Sequence, residues 1–446
     1  MSTSTAPTPD ATHPGEGGAD AAAAALPARR GAIPAATVDA AALADERERA
    51  LVLWLSNASH ALNHFQSQMV SVLYPVIMAE LGFGYAQLGM LTAIRNLLGN
   101  GMQMIYGFLA PFISRSRLLG IGNVGLGIGT LLTGVAGSFP AFVGARVVSS
   151  VASSAQHPVG YSLLAGYFPK SRGAILALNT SLASVGSLLA PPIAALLLVV
   201  LGWRQIFYVV AGASVVMGLV YFLLHDRVGG PGAQAGSGRQ RLARGKESYG
   251  RVLRNRNVLV ISLVMMAGAA GRGDGVNATY LGPHLVNDLA LSVVVAGFVL
   301  AALQVGNIAG PLGFGWLSDR VSRKGVLQLS LLLSALATWW LAHQGAYLPV
   351  LVLNMVVYGA VTGSRNTLTQ ALIADSLADE DRDAAFSVYY FLGFLSGPVW
   401  ALLTGFIMEN YGFSLAFSVL TVSYVLGMAL MFLIQEPRGT HSVARG

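Results

Sequence analysis

Long apolar runs separated by short polar turns fill the chain from Leu51 onward. Each run is about 18 to 29 residues, the length that an α-helix needs to cross a hydrocarbon core of ~30 Å. The pattern predicts an all-α polytopic membrane protein with twelve transmembrane helices. The predicted spans are 51–79, 86–112, 118–137, 141–167, 174–200, 205–224, 258–286, 293–317, 326–343, 348–374, 385–408 and 413–434.

Polar segments flank and divide these runs. The first 49 residues are rich in Ala, Pro, Ser, Thr and Gly and predict a disordered tail. A long basic segment separates the sixth run from the seventh. The predicted organisation is a cytoplasmic tail over 1–49, a six-helix bundle over 50–225, a basic cytoplasmic linker over 226–256, a second six-helix bundle over 257–436 and a cytoplasmic tail over 437–446.

Composition excludes a soluble protein. Hydrophobic residues make up 54% of the chain and charged residues 11%, against about a quarter charged in globular proteins. Cysteine is absent, which excludes disulfides and thiolate metal sites. No phosphate-binding loop, zinc-ligand spacing or nucleophile motif appears, so we expect neither an enzyme nor a cofactor.

The net charge of +7 is unevenly distributed between the two sets of loops. An excess of Lys and Arg marks cytoplasmic loops, so the pattern predicts a multi-pass protein of the cytoplasmic membrane with both termini inside. We expect contact with lipid and no binding of nucleic acid. The basic loop residues are Arg115, Arg117, Lys170, Arg172, Arg320, Arg323, Lys324 and Arg382, and the opposite loops hold Glu80, Asp288, Glu409 and Arg204.

The two halves of the chain repeat each other at an offset of about 208 residues. Pro75 then falls on Pro283, and Gly89 falls on Gly297. Parallel repeats of this kind build transporters whose substrate site lies near the bilayer midplane, between the repeats. The repeat therefore predicts two pseudo-symmetric six-helix bundles.

The loop after the eighth predicted span carries the sequence Gly315-Trp-Leu-Ser-Asp-Arg-Val-Ser-Arg-Lys324. It resembles the loop motif of the major facilitator superfamily (MFS), and Gly202-Trp-Arg204 is a further signature of that family. The resemblance implies that Gly315, Asp319, Arg320, Arg323 and Lys324 latch the two halves together. A degraded twin contains Gly107 and Arg115, with Pro111 in the place of Asp319, so we expect an asymmetric latch.

The first predicted span carries a polar stripe that includes His60, Asn63, His64 and Gln68. Their spacing puts them on one helix face. The stripe is either a hydrogen-bonded packing seam or the lining of a cavity. The His60-x-x-Asn63 pattern also resembles the fosmidomycin-resistance-like branch of the MFS, in which the next position is Asp rather than His64. Because an imidazole can exchange protons, His60, His64 and Asp274 are the predicted proton-coupling residues.

Four arginines lie inside the predicted spans and Asp274 is the one acid well inside them. Charges at such depth are costly and are usually functional. Arginine offers a planar fork that matches carboxylate, phosphonate or sulfonate, so the sequence predicts proton-coupled transport of a small organic anion by a monomer. Efflux of a drug or toxic metabolite and a non-transporting receptor or scaffold are the alternatives. The predicted cavity residues are His60, His64, Gln68, Arg95, Arg146, His157, Arg272 and Arg365.

Overall fold

The computed structural model describes residues 40–110, 112–224, 247–268, 276–377 and 381–434. By its contacts the chain divides into two units, Met1–Glu46 and Arg47–Gly446, and all of the predicted spans lie in the second. Pro111, Arg272, Asp274, the residues 1–39 and 435–446 of the two tails, and residues 225–246 of the linker region lie outside the described residues.

Helices form the described part of the chain and no strand occurs there. The first half contains α1 (Ala40–Leu81), α2 (Tyr85–Leu109), α3 (Arg115–Val135), α4 (Phe139–Ser153), α5 (Gln156–Tyr167), α6 (Arg172–Val200) and α7 (Trp203–Leu223). The second half contains α8 (247–254), α9 (Arg256–Ala267), α10 (Val276–Pro283) with a π-turn over His284–Asp288, α11 (Val293–Arg320), α12 (Arg323–His343), α13 (Leu348–Asp375) and α14 (Arg382–Met431).

Seven of the described helices are long and apolar enough to cross a membrane by themselves. They are α3, α6, α7, α11, α12, α13 and the segment Ala384–Met431. That last segment covers two predicted spans, and Gly412 turns the chain between them with a φ of 83°, a left-handed conformation that glycine adopts without strain.

The fourth predicted span is two helices rather than one. The helical hydrogen bonding is interrupted at Ser154 and Ala155, between α4 and α5, although both residues keep helical φ and ψ. Pro158 lies in the first turn of α5, where a helix needs no N–H donor. A continuous helix from α4 to α5 would need an N–H at this position to donate to the Ser154 carbonyl, and proline has none. In the seventh predicted span the described residues form α9 and α10, and residues 269–275 between them lie outside the described residues.

The Gly202-Trp-Arg204 signature connects the ends of three helices. These ends lie on one side of the molecule, which we call the Glu80 end. The Glu80 carboxylate accepts a hydrogen bond from Trp203 Nε1 at 2.5 Å and pairs with Arg204. These two donors hold the pKa of Glu80 below its usual range. Arg204 also donates to the carbonyl of Ala136 at 3.0 Å, so α1, α3 and α7 meet at this turn.

The two halves approach each other closely at the Glu80 end. The backbone N–H of Tyr85 donates to Glu409 Oε2 at 2.6 Å, which joins α2 to α14. One turn further along α2, a β-carbon on Gly89 would lie 2.6 Å from the carbonyl oxygen of Ala401. A β-carbon on Gly297 of α11 would lie 2.9 Å from the Pro191 carbonyl of α6. Glycine at these points lets the backbones of the two halves touch.

Candidate functional site

Three histidines of the first half lie together and form what we call the histidine cluster. Ring centroids are 4.9 Å apart for His60 and His64, 5.0 Å for His60 and His157, and 5.8 Å for His64 and His157. One nitrogen from each ring lies within 4.8 Å of the others. The ring of Tyr161 is 5.8 Å from His60 and from His157. The structure thus gathers three of the predicted cavity residues from α1 and α5.

Helix α6 reaches the cluster because small residues line its contact with α1. Gly186 lies on the backbone of Ala61, and a β-carbon there would be 2.9 Å from the Ala61 carbonyl carbon. From the same face of α6, Asn179 Oδ1 lies 2.6 Å from His60 Nδ1 and Ser187 Oγ lies 3.1 Å from His64 Nδ1. The close approach of the helices therefore places a polar partner on two of the three imidazoles.

Asn179 determines which nitrogen of His60 carries the proton. Its Nδ2 donates to Asn57 Oδ1 at 2.8 Å and to the carbonyl of Ser56 at 3.3 Å. The atom that faces His60 Nδ1 is therefore the acceptor Oδ1, so Nδ1 is the protonated nitrogen and Nε2 holds the lone pair. His60 is 1% exposed, and Nε2 has no hydrogen-bond partner within the described residues.

A second network holds α5 against α1, next to His157. Gln156 Nε2 donates to Ser59 Oγ at 3.1 Å. The hydroxyl of Tyr221, from α7, lies 2.9 Å from the same oxygen. All three side chains are buried, so the start of α5 is fixed in register with α1.

Gln68 and Arg95 face a small pocket between the halves. Its walls are Ser67, Gln68, Ser71 and Tyr74 of α1, Arg95 of α2, and Ala278 and Thr279 of α10. Gln304 of α11 donates to Gln68 Oε1 at 3.4 Å, and Asn307 donates to Gln304 at 3.1 Å. These two predicted residues therefore lie where the halves meet.

Arg146 and Arg365 are buried guanidinium groups on equivalent helices of the two halves, α4 and α13. Arg146 is 4% exposed and Arg365 is 1% exposed. Among the described side and main chains, Nε of Arg146 and both Nε and Nη1 of Arg365 lack a hydrogen-bond acceptor. Arg95 lies close enough to Arg146 for the two charges to repel each other. Buried donors without partners are rare and call for a ligand, an ion or water.

The loop motif makes its contacts within the second half. Arg323 lies between two carboxylates, 3.2 Å from Asp319 and 2.7 Å from Asp375. Lys324 donates to the carbonyl of Ile434 at 2.7 Å, and Arg320 lies 3.7 Å above the Trp316 ring. Asp319 is 68% exposed. Gly315 and its twin Gly107 have open space around them, and Arg115 begins α3. The predicted latch between the halves stays a prediction.

The linker joins this end of the molecule through α8. Arg251 Nη2 lies 2.7 Å from Asp381 Oδ1, and Ser248 Oγ donates to the same oxygen at 2.6 Å. The two donors lower the pKa of Asp381 to about 2, with Arg251 the larger cause. The carboxylate is therefore ionised at any physiological pH and clamps α8 to the start of α14.

The residues that orient the cluster are absent from the sequence-based prediction. Asn179, Ser187, Tyr161 and Gln156 lie on α5 and α6, outside the polar stripe of the first span. Asn179 and Ser187 share a face with Ala183, Gly186 and Ala190. Polar residues on a small-residue face of a long apolar helix are the one signal that could have identified them.

Comparison with known proteins decides the family. The family model described as Major Facilitator Superfamily matches residues 57–273 and 269–445. The chain belongs to the Major Facilitator Superfamily. The resemblance carried by Gly315–Lys324 is thereby confirmed, and so is the predicted all-α fold of twelve helices. This MFS chain is a multi-pass membrane transporter of organic solutes and not an enzyme.

Individual relatives of this MFS chain are distant. The fosmidomycin resistance protein of Escherichia coli K12 is 22% identical over 386 residues, which cover 86% of this chain and 92% of that protein. The hexuronate transporter of the same organism is 21% identical over 406 residues, covering 86% and 93%. A bacterial homologue of the human lysosomal transporter Spinster, inward-facing and unoccupied, has the same fold with a TM-score of 0.76, 17% identity and coverage of 86% and 96%.

Proposed function

We propose that this MFS chain carries a small organic anion across the cytoplasmic membrane by alternating access, with a proton gradient as the driving force. The observation that carries the proposal is the pair of buried arginines, Arg146 and Arg365, whose free N–H donors have no acceptor in the described part of the protein. A carboxylate or phosphonate supplies both the negative charge and the acceptor oxygens that these groups lack.

The charge distribution supports an anion rather than a cation. Every Asp and Glu of the described residues lies outside the twelve predicted spans, whereas Arg95, Arg146 and Arg365 lie within them. An organic cation would meet uncompensated positive charge at low dielectric, which is unfavourable by several kcal/mol. Arg272 and Asp274, which the sequence places in the same region, have opposite charges and leave that net charge unchanged. The hexuronate transporter is a relative whose named solute is a carboxylate.

The packing of the halves supports an inward-open state. With the loop charges oriented by the positive-inside rule, the Glu80 end faces the outside. The contacts Tyr85–Glu409 and Gly89–Ala401 then close the outer side. The loop-motif residues lie on the inner side, where Asp319 is exposed, and they would form their latch in the opposite state.

The arginine fork is tested by replacing Arg365 with Lys in purified protein reconstituted into liposomes. Uptake of labelled carboxylates and phosphonates is measured with an imposed pH gradient and, separately, with a sodium gradient. Lysine keeps the charge but loses the planar fork, so we expect the ratio kcat/KM to fall about 10–150-fold, the effect of a charged hydrogen bond worth ~1.5–3 kcal/mol.

Arg117→Lys is the matched control, because Arg117 lies exposed at the start of α3, and its transport should be unchanged. Uptake by a well-folded Arg365→Lys protein that equals the wild type would refute the proposed role. A dependence on sodium alone would refute proton coupling.

Efflux of a drug or toxic metabolite is the second candidate, favoured by the similarity to the fosmidomycin resistance protein. The same liposomes distinguish efflux from anion uptake by the direction of transport and by the effect of Arg365→Lys. A pump for apolar compounds should keep its activity in Arg365→Lys, and cells that express it should gain resistance rather than growth on an anion.

A further inference from the structure

We propose that the histidine cluster binds one divalent transition-metal ion of the Zn²⁺ class. The ligands are His60, His64 and His157. Nothing in the proposed anion transport requires the ion, and its binding would exclude His60 and His64 as proton carriers and leave Asp274 of the three predicted ones. Three imidazoles are a ligand set that suits Zn²⁺, Co²⁺ or Ni²⁺ and does not suit Mg²⁺ or Ca²⁺, which prefer oxygen.

The distances allow the site to close with small movements. Three atoms no more than 4.8 Å apart all lie within about 2.8 Å of a common centre, and the Zn–N bond is ~2.0–2.1 Å. Each imidazole therefore has to move by at most about 0.8 Å to give tetrahedral N–Zn–N angles. A small rotation of each side chain supplies that shift. Three protein ligands leave a fourth tetrahedral position open.

The outer contacts of the cluster are those of a metal site. A ligating histidine usually donates its second ring N–H to an oxygen, which fixes the tautomer and orients the ring. His60 donates from Nδ1 to Asn179 Oδ1 at 2.6 Å, and His64 Nδ1 lies 3.1 Å from Ser187 Oγ. Nε2 of His60 is then the nitrogen that faces the ion without another partner in the described structure.

His60 supplies the second, independent observation. His60 is 1% exposed, and no donor in the described structure bonds to the lone pair of its Nε2. A buried acceptor left without a partner is destabilising, and a bound cation would satisfy it. A packing seam of neutral imidazoles would leave this lone pair without a partner.

The position of the ligands suits a transporter that changes shape. All three histidines, with Asn179 and Ser187, belong to α1, α5 and α6 of the first half. Alternating access moves one half against the other, so the ion would stay bound in both states. His64 and His157 are half-buried, which gives the ion a way in.

The test uses full-length protein from which any affinity tag has been removed, in detergent micelles. Metal is stripped with a chelator, and Zn²⁺ is titrated by calorimetry. Co²⁺ is titrated in parallel, because tetrahedral Co²⁺ gives intense visible absorption. We expect one ion per chain, the absorption bands of a tetrahedral nitrogen site, and no displacement by excess Mg²⁺.

Variants identify the ligands. His60→Gln and His157→Gln should abolish saturable binding, and Asn179→Ala should weaken it by about 10–100-fold through the lost outer contact. His343→Gln is the matched control, since His343 is exposed on α12 and bonds to the carbonyl of Trp339. If His60→Gln fails to elute as a folded protein, the half-buried His157 carries the test. Absence of saturable binding in the wild type, or binding that survives in folded His157→Gln, would overturn the proposal.

Discussion

The close approach of α2 and α14 at Gly89 makes a sharp prediction about the conformational equilibrium. In Gly89→Ala the new methyl group would lie 2.6 Å from the Ala401 carbonyl oxygen and 2.7 Å from the Tyr280 hydroxyl. Ala401 contributes a backbone atom, which cannot rotate away, so the two helices must separate. Overpacking by one carbon at a tight contact costs about 1–3 kcal/mol.

This cost falls only on the state in which α2 and α14 touch. A change of about 1–3 kcal/mol shifts a two-state equilibrium by about 5–150-fold, so a population that is nearly all closed at the Glu80 end should become mixed. The variant Gly101→Ala is the control. Gly101 lies on the same helix with open space around it, so it shares the gain in helix propensity of up to ~1 kcal/mol but not the collision.

The absence of native cysteine makes the measurement direct. Spin labels are attached to cysteines at Gly137 and Gly345, two exposed loop positions of the Glu80 end with open space around them. Double electron–electron resonance should show a longer distance component in Gly89→Ala and an unchanged distribution in Gly101→Ala. Identical distributions in both variants would refute the reasoning that glycine at position 89 permits closure.

Two further predictions concern the opposite end of the molecule. Asp319→Asn should slow transport by about tenfold, which corresponds to a loss of ~1.4 kcal/mol in the state that is closed on the inner side. Thermal stability in detergent should stay unchanged, because the i,i+4 pair of Asp319 with Arg323 is exposed. Uptake kinetics equal to those of the wild type would contradict the latch. Asp381→Asn should lower the midpoint of thermal unfolding by releasing α8. Because the pKa of Asp381 is lowered to about 2, the carboxylate stabilises the fold fully above its unfolded pKa of ~3.9 and loses that effect as the pH falls towards 2. The difference between wild type and variant, followed by differential scanning fluorimetry, should be constant from about pH 5 to 8 and shrink in acid; a difference that changes near neutrality would point to another group.

Several features of the site followed from local pattern alone. The length and composition of the apolar runs predict the twelve-helix fold, because the bilayer fixes how long a spanning helix must be. Gly315 to Lys324 predicts the family, and the spacing of His60 and His64 predicts one polar face of α1. Each of these rests on residues that are neighbours in sequence, so no knowledge of packing was needed.

Tertiary structure decided which distant residues meet. His157 lies 97 positions after His60 and joins it because α5 packs against α1, where Gln156 donates to Ser59. Asn179 reaches His60 only because Gly186 lets α6 touch α1. The free donors of Arg146 and Arg365 are likewise a property of packing, since an arginine in a sequence does not reveal whether an acceptor lies beside it. Sequence by itself determined that charged and polar groups enter the membrane; side-chain packing, which depends on close approach of helix backbones, determined which of them share a site.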